Sequence, residues 1–281
     1  MMDHEATINK FFTDNQFRLE EESLETYCCA VRQFLDYTGK PLMDINKTEI
    51  RDWLSHLKEK DYKPWTIWSK LTGLRTFFKY CVEESLTDIN PAAQIPYPRV
   101  GEKLPYYLTK EQLNKLRMHL EGRLQERAIV EILYATGVRI SELCAMKKED
   151  IDWSERTIHI PSGKWKKSRI VLFTQQSAAH LQAYLESRTD DLPYVFLSLR
   201  NKDRAINPCT IGQWLFRNYS KSLGFKVTPH TIRHTFAAHL IQKGMPLNCI
   251  QVLLGHVEPQ QTQYYARLYN HARKEKYDEF M

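Results

Sequence analysis

Apolar residues in the first hundred positions recur every three or four residues, in three successive segments. The first runs from Leu24 to Leu35 and is followed by Gly39, a residue typical of helix C-termini. The second begins at Thr48, which can cap a helix, and the third at about Pro64, which is tolerated in a first helical turn. The pattern predicts an entirely helical N-terminal region.

A proline-rich stretch interrupts this pattern between residues 89 and 105. Prolines at this density cannot continue a helix, so we predict an extended linker. Beyond it, Thr109 and Gln112 stand in capping-box register and predict a new helix start. We place the boundary near residue 100, which divides the chain into domains of residues 1–98 and 99–281.

The second domain mixes two periodicities. A helical segment ends at Gly137, and short β-rich runs occupy residues 157–160 and 169–173. The segment between these runs, SGKWKKS, predicts a hairpin with a basic tip, and residues 194–198 could form another strand. The predicted fold is mainly α with a small β-sheet: a helical N-terminal domain plus an α+β C-terminal domain.

The net charge of +6 is unevenly distributed along the chain. Residues 1–98 carry 12 Lys and Arg against 16 Asp and Glu, whereas residues 99–281 carry 28 against 18. A basic C-terminal domain indicates a polyanionic partner. Lys63, Lys70, Arg75 and Lys79 lie along the third helix, where they could meet phosphates or form an ordinary solvated face; both interpretations stay open.

Location and redox state follow from composition. No apolar run approaches the roughly 18 residues of a membrane helix, and the N-terminal residues lack the features of a signal peptide, so we expect a cytoplasmic protein with no membrane partner. The six cysteines form no C-x-x-C pair and are expected to be free, buried, small apolar side chains rather than disulfides or metal ligands.

Three separated segments carry residues suited to phosphate chemistry: ATGVRISEL at 135–143, PHTIRHTFAAHL at 229–240 and LLGHVEPQQTQYYARL at 253–268. Arg139 follows a break between helices, and His230 and Arg233 share one helix face because they are three residues apart. Arginines bind phosphate oxygens in a bidentate manner and stay charged. Taken singly, each residue is more often a surface ion pair or a packed side chain.

Together and in this order, the three segments resemble the catalytic motifs of the tyrosine site-specific recombinases, the lambda-integrase superfamily, and most of all its Xer type. The motifs are A-T-G-x-R-x-S-E-L, H-x-x-R-H, and L-L-G-H followed nine residues later by a tyrosine. That spacing selects Tyr265 rather than Tyr264. The resemblance extends from about residue 5 to 270.

The resemblance implies a role for each matching residue. It makes Tyr265 the nucleophile and the N-terminal region a core-binding domain for DNA. Glu142 is expected to support the site, and His234 and His239 are expected to pack and form hydrogen bonds. The residues implied to contact the scissile phosphate or transfer its protons are Arg139, His230, Arg233 and His256.

The general acid is less clearly marked. The family hairpin commonly reads G-K-G-x-K-x-R, whereas here Trp165 replaces a glycine. Lys164 matches best as the lysine that protonates the leaving 5′ oxygen, and Lys166 could replace it if the turn is shifted. Phosphate-backbone contact by this basic loop is the alternative.

The implied reaction is metal- and ATP-independent, needs no cofactor, and forms a 3′-phosphotyrosyl intermediate and a Holliday junction. The implied partner is double-stranded DNA at a specific site, bound by a homotetramer or by a heterotetramer with a paralogue. Two alternatives stay open: DNA relaxation of the type IB topoisomerase kind, and a non-catalytic DNA-binding accessory protein.

Overall fold

The computed structural model describes residues 4–100, 105–161, 168–255 and residue 269. The chain forms two compact units, Met1–Glu102 and Lys103–Met281. As predicted, it is mainly helical with one small antiparallel sheet. In the described part of the chain, no helix combines the length and apolar character that a membrane crossing requires.

The described residues of the first unit form four α-helices and a short 3-10 helix, Leu42–Asp44. Gly39 ends the second helix in a left-handed conformation, and Pro64 begins the fourth, both as predicted. The N-cap of the third helix differs from the prediction: it is Asn46 rather than Thr48, because the Asn46 side chain accepts the Thr48 N–H at 2.7 Å. The helices are α1 His4–Asn15, α2 Glu21–Thr38, α3 Lys47–Glu59 and α4 Pro64–Glu83.

Aromatic rings fill the core of this unit. Phe34 from α2 meets Trp53 from α3 and Phe78 from α4 edge-to-face, with ring centroids 5.3 and 6.3 Å apart. Phe11 of α1 meets Phe77 of α4 in the same way at 5.4 Å. Each such pair stabilises the fold by about 1 kcal/mol beyond the contribution from burying its apolar surface. The regularly spaced apolar residues of the sequence therefore pack together in one core that the four helices share.

Two of the four basic residues that the sequence placed along the helix α4 have structural roles. Lys70 is 9% exposed, bonds Gln33 and lies over the ring of Trp53. Arg75 donates to the carbonyls of Ala92 and Ile95, which anchors the segment after α4. The interpretation of α4 as a uniform basic face for phosphates is therefore wrong for these two side chains.

The second unit contains seven helices and three strands among its described residues. They are α5 Lys110–His119, α6 Leu124–Thr136, α7 Ile140–Ala145, β1 Ile151–Asp152, β2 Thr157–Ile160, β3 Arg169–Leu172, α8 Gln175–Glu186, α9 Phe216–Leu223, α10 Pro229–Gln242 and α11 Leu247–Leu254. A π-helical turn, Thr210–Leu215, leads directly into α9. The predicted capping box of Thr109 and Gln112 begins α5.

The sheet has the strand order β1-β2-β3, with antiparallel pairs throughout. In the β2–β3 pair, Ile158 faces Val171 and Ile160 faces Arg169. The predicted strands at 157–160 and 169–173 are confirmed, while the hairpin tip at 162–167 lies outside the described residues. The segment 194–198 is not a strand of this sheet: it forms only isolated bridges, Lys147 to Tyr194 and Leu197 to Ala205.

The cysteines divide into two groups. Burial raises the pKa of the Cys81 and Cys144 thiols to about 12, and Cys28 is buried as well. Cys29, Cys209 and Cys249 are exposed, which contradicts the expectation that all six are buried. All six are free thiols in the structure.

Candidate active site

Arg139 lies at the start of α7, immediately after the end of α6. Gly137 ends α6 at a φ of 63°, and a side chain there would collide with the ring of Phe236. The two-residue connection then places Arg139 at the N-cap of α7. Glycine is required here both for the left-handed conformation and for the close approach of α10.

Glu142 holds Arg139 from one turn further along α7. Its carboxylate accepts the Arg139 backbone N–H at 2.7 Å and the Nη1 of the same residue at 3.1 Å. The other group on this carboxylate is Arg169 at the start of β3, which donates from Nη1 at 2.9 Å and from Nη2 at 2.7 Å. One carboxylate therefore joins two arginines from separate elements.

The ionisation of Glu142 reflects this position. Burial acts to raise its pKa, but hydrogen bonds from Arg169, the Arg139 backbone N–H and the two arginine charges outweigh burial and lower the pKa to about 2. The group is therefore a carboxylate at all physiological pH values.

Arg233 is buried on α10, with 6% of its surface exposed. Its Nη1 donates to the carbonyl of Gly137 at 2.5 Å and its Nη2 to the carbonyl of Leu254 at 2.7 Å. Both acceptors stand at helix C-termini, where carbonyls lack partners within the helix and carry partial negative charge. The ends of α6 and α11 thus converge on one guanidinium.

Three arginines share the C-terminal end of α11. Alongside the Arg233 bond to Leu254, Arg169 donates from Nε to the Leu253 carbonyl at 3.1 Å, and Arg139 donates from Nη2 to the Gly255 carbonyl at 3.4 Å. Three consecutive carbonyls therefore face guanidinium groups from α7, β3 and α10. The residue that follows is His256, which lies outside the described residues.

His230 lies in the first turn of α10, one turn before Arg233, and its side chain reaches solvent. Desolvation, and after it the positive charges of Arg233, Arg139 and Lys226, lower the pKa of His230. Burial and the charges around His234, His230 among them, lower the pKa of His234 to about 4. His230 is thus favoured in its neutral form, which can exchange a proton.

His239 has the packing and hydrogen-bonding role expected of it. Its Nδ1 meets the Tyr134 hydroxyl at 2.9 Å and its Nε2 meets the Leu108 carbonyl at 3.1 Å. Because a carbonyl can only accept, Nε2 carries the proton and Nδ1 accepts from the hydroxyl. Thr235 also accepts the Leu108 N–H at 2.9 Å, so α10 anchors the chain leading into α5.

The structure thus brings together Arg139, His230 and Arg233 of the predicted site. Lys164, His256 and Tyr265, together with the alternative lysine Lys166, lie outside the described residues. Sequence reasoning gave Arg169 no role in the site, although this residue begins the predicted strand 169–173 and stands at the arginine of the family hairpin motif. Within the described ranges, no group of three or more His, Cys, Asp or Glu side chains is arranged to hold a metal ion.

The comparison with known families agrees with this geometry. A profile of the phage integrase family matches residues 106–272, more than half of the chain. The chain belongs to the phage integrase family. A second profile, described as phage integrase, N-terminal SAM-like domain, matches residues 8–88.

Relatives within the phage integrase family match nearly the whole chain. Tyrosine recombinase XerA of Thermococcus kodakarensis is 34% identical over 255 residues, covering 90% of this chain and 87% of the relative. Tyrosine recombinase XerC of Anoxybacillus flavithermus is 33% identical over 279 residues, covering 93% of each. This phage integrase family member is therefore a tyrosine recombinase of the Xer type, an enzyme that transfers DNA strands.

Solved structures of the phage integrase family share the fold. A crystal structure of XerA recombinase aligns with a TM-score of 0.57 at 28% identity and covers 99% of both chains. A lambda integrase dimer bound to a COC′ core site aligns with a TM-score of 0.75 at 20% identity, covering 90% of this chain and 95% of that one. At that lower identity, the second match concerns the fold alone.

Proposed function

We propose that the cluster of Arg139, His230 and Arg233 binds the scissile phosphate of a specific DNA site for strand cleavage and rejoining. The observation that carries the proposal is the arrangement of two arginines and a histidine of lowered pKa around the ends of α6 and α11. Fixed cations that face the non-bridging oxygens stabilise the charge that develops during phosphoryl transfer.

The proposed nucleophile is Tyr265. Its hydroxyl proton passes to neutral His230 as its oxygen attacks the phosphorus, the bond to the 5′ oxygen breaks, and a 3′-phosphotyrosyl ester forms. Lys164, or Lys166 if the turn is shifted, donates the proton that the 5′-OH acquires, and His256 contributes a hydrogen bond to the phosphate. The ester conserves the bond energy, so a partner 5′-OH can release the tyrosine without ATP, metal or cofactor, and two such rounds pass through a Holliday junction.

The proposed assembly is a tetramer on two paired DNA sites, formed by this chain alone or with a paralogue. The segment 271–281 is too short for a stable isolated helix in water, so it gains order only by docking. We propose that it docks on a neighbouring subunit. The biological event is dimer or cointegrate resolution or integration of a mobile element, by a cytoplasmic protein associated with the nucleoid when DNA-bound.

Trapping of covalent complexes tests the proposed nucleophile. On a nicked DNA substrate that prevents rejoining, the wild-type chain should form a covalent protein–DNA adduct, and Tyr265→Phe should form none while binding DNA with near wild-type affinity, since only a hydroxyl is lost. The matched control Tyr264→Phe should form the adduct. An active Tyr265→Phe protein would contradict the assignment, and DNA relaxation on plasmids without a specific site would favour the topoisomerase alternative.

A further inference from the structure

Arg169 is buried at the junction of three structural elements. It is the first residue of β3, paired through its backbone with Ile160, and its side chain is only 11% exposed. The guanidinium makes a two-pronged contact with Glu142 and a third bond to the carbonyl of Leu253. Its position is therefore determined by β2, α7 and α11 together.

The guanidinium also lies directly against the backbone of Gly255. A side chain at Gly255 would place its Cβ 2.9 Å from Nη1 and 3.0 Å from both Cδ and Cζ of Arg169. Gly255 has a φ of 62° as well, so glycine is needed at this position for conformation and for space. The glycine before His256 thus makes room for Arg169 specifically.

Glu142 contacts the two arginines unequally. Arg169 engages both carboxylate oxygens with its side chain, at 2.9 and 2.7 Å, whereas the Arg139 side chain makes a single bond at 3.1 Å. Arg139 is also the more exposed of the two, with 24% of its side chain accessible against 11%. A two-pronged arginine–carboxylate pair is the stronger arrangement, so the negative charge of Glu142 is directed mainly towards Arg169.

We propose that Arg169 is a positioning residue for strand cleavage, which occupies Glu142 so that Arg139 keeps its positive charge directed at the scissile phosphate. This inference rests on the proposed role of Arg139. Without Arg169, Glu142 would turn its full charge on Arg139, pair with it in the two-pronged geometry and compete with the phosphate. The same loss would release the Leu253 carbonyl and loosen the end of α11 that precedes His256.

This charge competition predicts an unusual relation between two substitutions. Arg169→Gln should impair cleavage because it leaves Glu142 free to capture Arg139. Adding Glu142→Gln removes the competing charge, so the double variant should cleave faster than Arg169→Gln alone. A purely structural role for Arg169 predicts that the rate recovers only in step with thermal stability, because removing one partner of a buried ion pair leaves an uncompensated charge that removing both does not. Charge competition instead predicts a faster double variant at a temperature where wild type and all variants are fully folded.

The experiment uses the full chain and the nicked DNA substrate described above, under single-turnover conditions. The variants are Arg169→Gln, Arg169→Lys and the Arg169→Gln/Glu142→Gln double substitution. Arg204→Gln serves as the matched control, since Arg204 is an exposed arginine of the same unit with 75% of its side chain accessible. DNA affinity is measured by gel shift and folding by thermal denaturation.

We expect Arg169→Gln to slow covalent adduct formation at least ~10-fold, while DNA affinity stays within ~3-fold of wild type because a side chain that is only 11% exposed offers little surface to the DNA backbone. Arg169→Lys should recover part of the rate, because one ammonium cannot span both carboxylate oxygens. The double variant should be at least ~3-fold faster than Arg169→Gln, and Arg204→Gln should match wild type.

Wild-type rates in Arg169→Gln, or a double variant slower than Arg169→Gln, would overturn the inference and leave the proposed function intact. Failure of the wild-type chain to form any covalent adduct would instead overturn the proposed function. If Arg169→Gln proves unfolded, the rate of Arg169→Lys is compared with that of wild type instead. A slower rate supports the inference, and a wild-type rate overturns it.

Discussion

Glu142→Gln provides a direct measure of how strongly the arginine cluster depends on one carboxylate. The substitution preserves the size of the side chain but removes its charge. It leaves Arg139 and Arg169 next to an amide whose NH2 group cannot accept hydrogen bonds. Because 15% of the Glu142 side chain is exposed, solvent screens this loss only weakly.

The magnitude follows from the pKa of Glu142. A shift of the pKa from its ordinary value of 4.5 to about 2 in the folded state corresponds to a stabilisation on the order of 3 kcal/mol at neutral pH. Removal of one partner from a buried ion pair costs a similar amount, about 3–5 kcal/mol. We therefore expect Glu142→Gln to lower the free energy of unfolding of the second unit by about 3 kcal/mol at pH 7.

The sign of the pH dependence is determined by the direction of that shift. The folded-state pKa lies below the unfolded value, so the stabilisation is fully present above pH 4.5 and is lost as the pH falls towards 2. The glutamine variant has no such group. The difference between wild type and Glu142→Gln should therefore be constant from pH 7 to 5 and shrink by more than ~1 kcal/mol by pH 3.5.

The assay is urea denaturation of the full chain, monitored through the hydrogen exchange of backbone amides in α10 and α11. These amides belong to the second unit, so they report the free energy of unfolding of that unit. Glu149→Gln is the matched control, because Glu149 pairs with Lys147 at 3.2 Å on the surface with 73% of its side chain exposed. It should cost less than ~0.5 kcal/mol. Equal costs for the two variants, or a difference that does not change with pH, would refute the reasoning.

Three further predictions concern the reaction, the backbone and the assembly. Cleavage should be undiminished in EDTA, because arginines and not a metal neutralise the phosphate; loss of adduct on chelation, restored by Mg²⁺, would contradict this. Gly137→Ala should be less stable than Gly122→Ala by about 1 kcal/mol or more in thermal denaturation: both have positive φ, but only Gly137 faces the Phe236 ring. Deletion of residues 271–281 should leave single-site binding intact in gel shifts and impair recombination; unchanged recombination would show that the subunits are coupled elsewhere.

The local sequence determined where elements begin and end, because those signals act over a few residues. Gly39 and Gly137 end helices in left-handed conformations, Pro64 begins one, and Thr109 caps another, all as predicted. The cap of α3 was assigned to Thr48 instead of Asn46 because both residues can cap a helix. The folded structure distinguishes them: the Asn46 backbone is extended, with a φ of −123° and a ψ of −173°, and the Asn46 side chain accepts the Thr48 N–H.

The resemblance to a family predicted that Arg139 shares a site with His230 and Arg233, although Arg139 precedes both by about 90 residues in the chain. The spacing within the second motif predicts that its residues share one face of a helix. That separate motifs meet in one site was predicted only by the resemblance to a family. Amino-acid type alone could not predict it, since each residue has an ordinary structural explanation. The environment of His230 comes from the tertiary structure, because desolvation and after it the charges of Arg233, Arg139 and Lys226 lower its pKa.

Only the tertiary structure decided what each basic side chain does. The sequence pattern predicts Lys70 and Arg75 on the helix surface. In the structure, Lys70 is buried beside Trp53 and Arg75 binds the segment after α4. The sequence placed Arg169 only at the start of a predicted strand, yet it bonds Glu142 and Leu253, which are 27 and 84 residues away in the chain. The position of a charged side chain depends on partners that lie far away in the sequence. Whether its charge is paired depends on distances between atoms in the folded structure, and a local sequence pattern does not contain those distances.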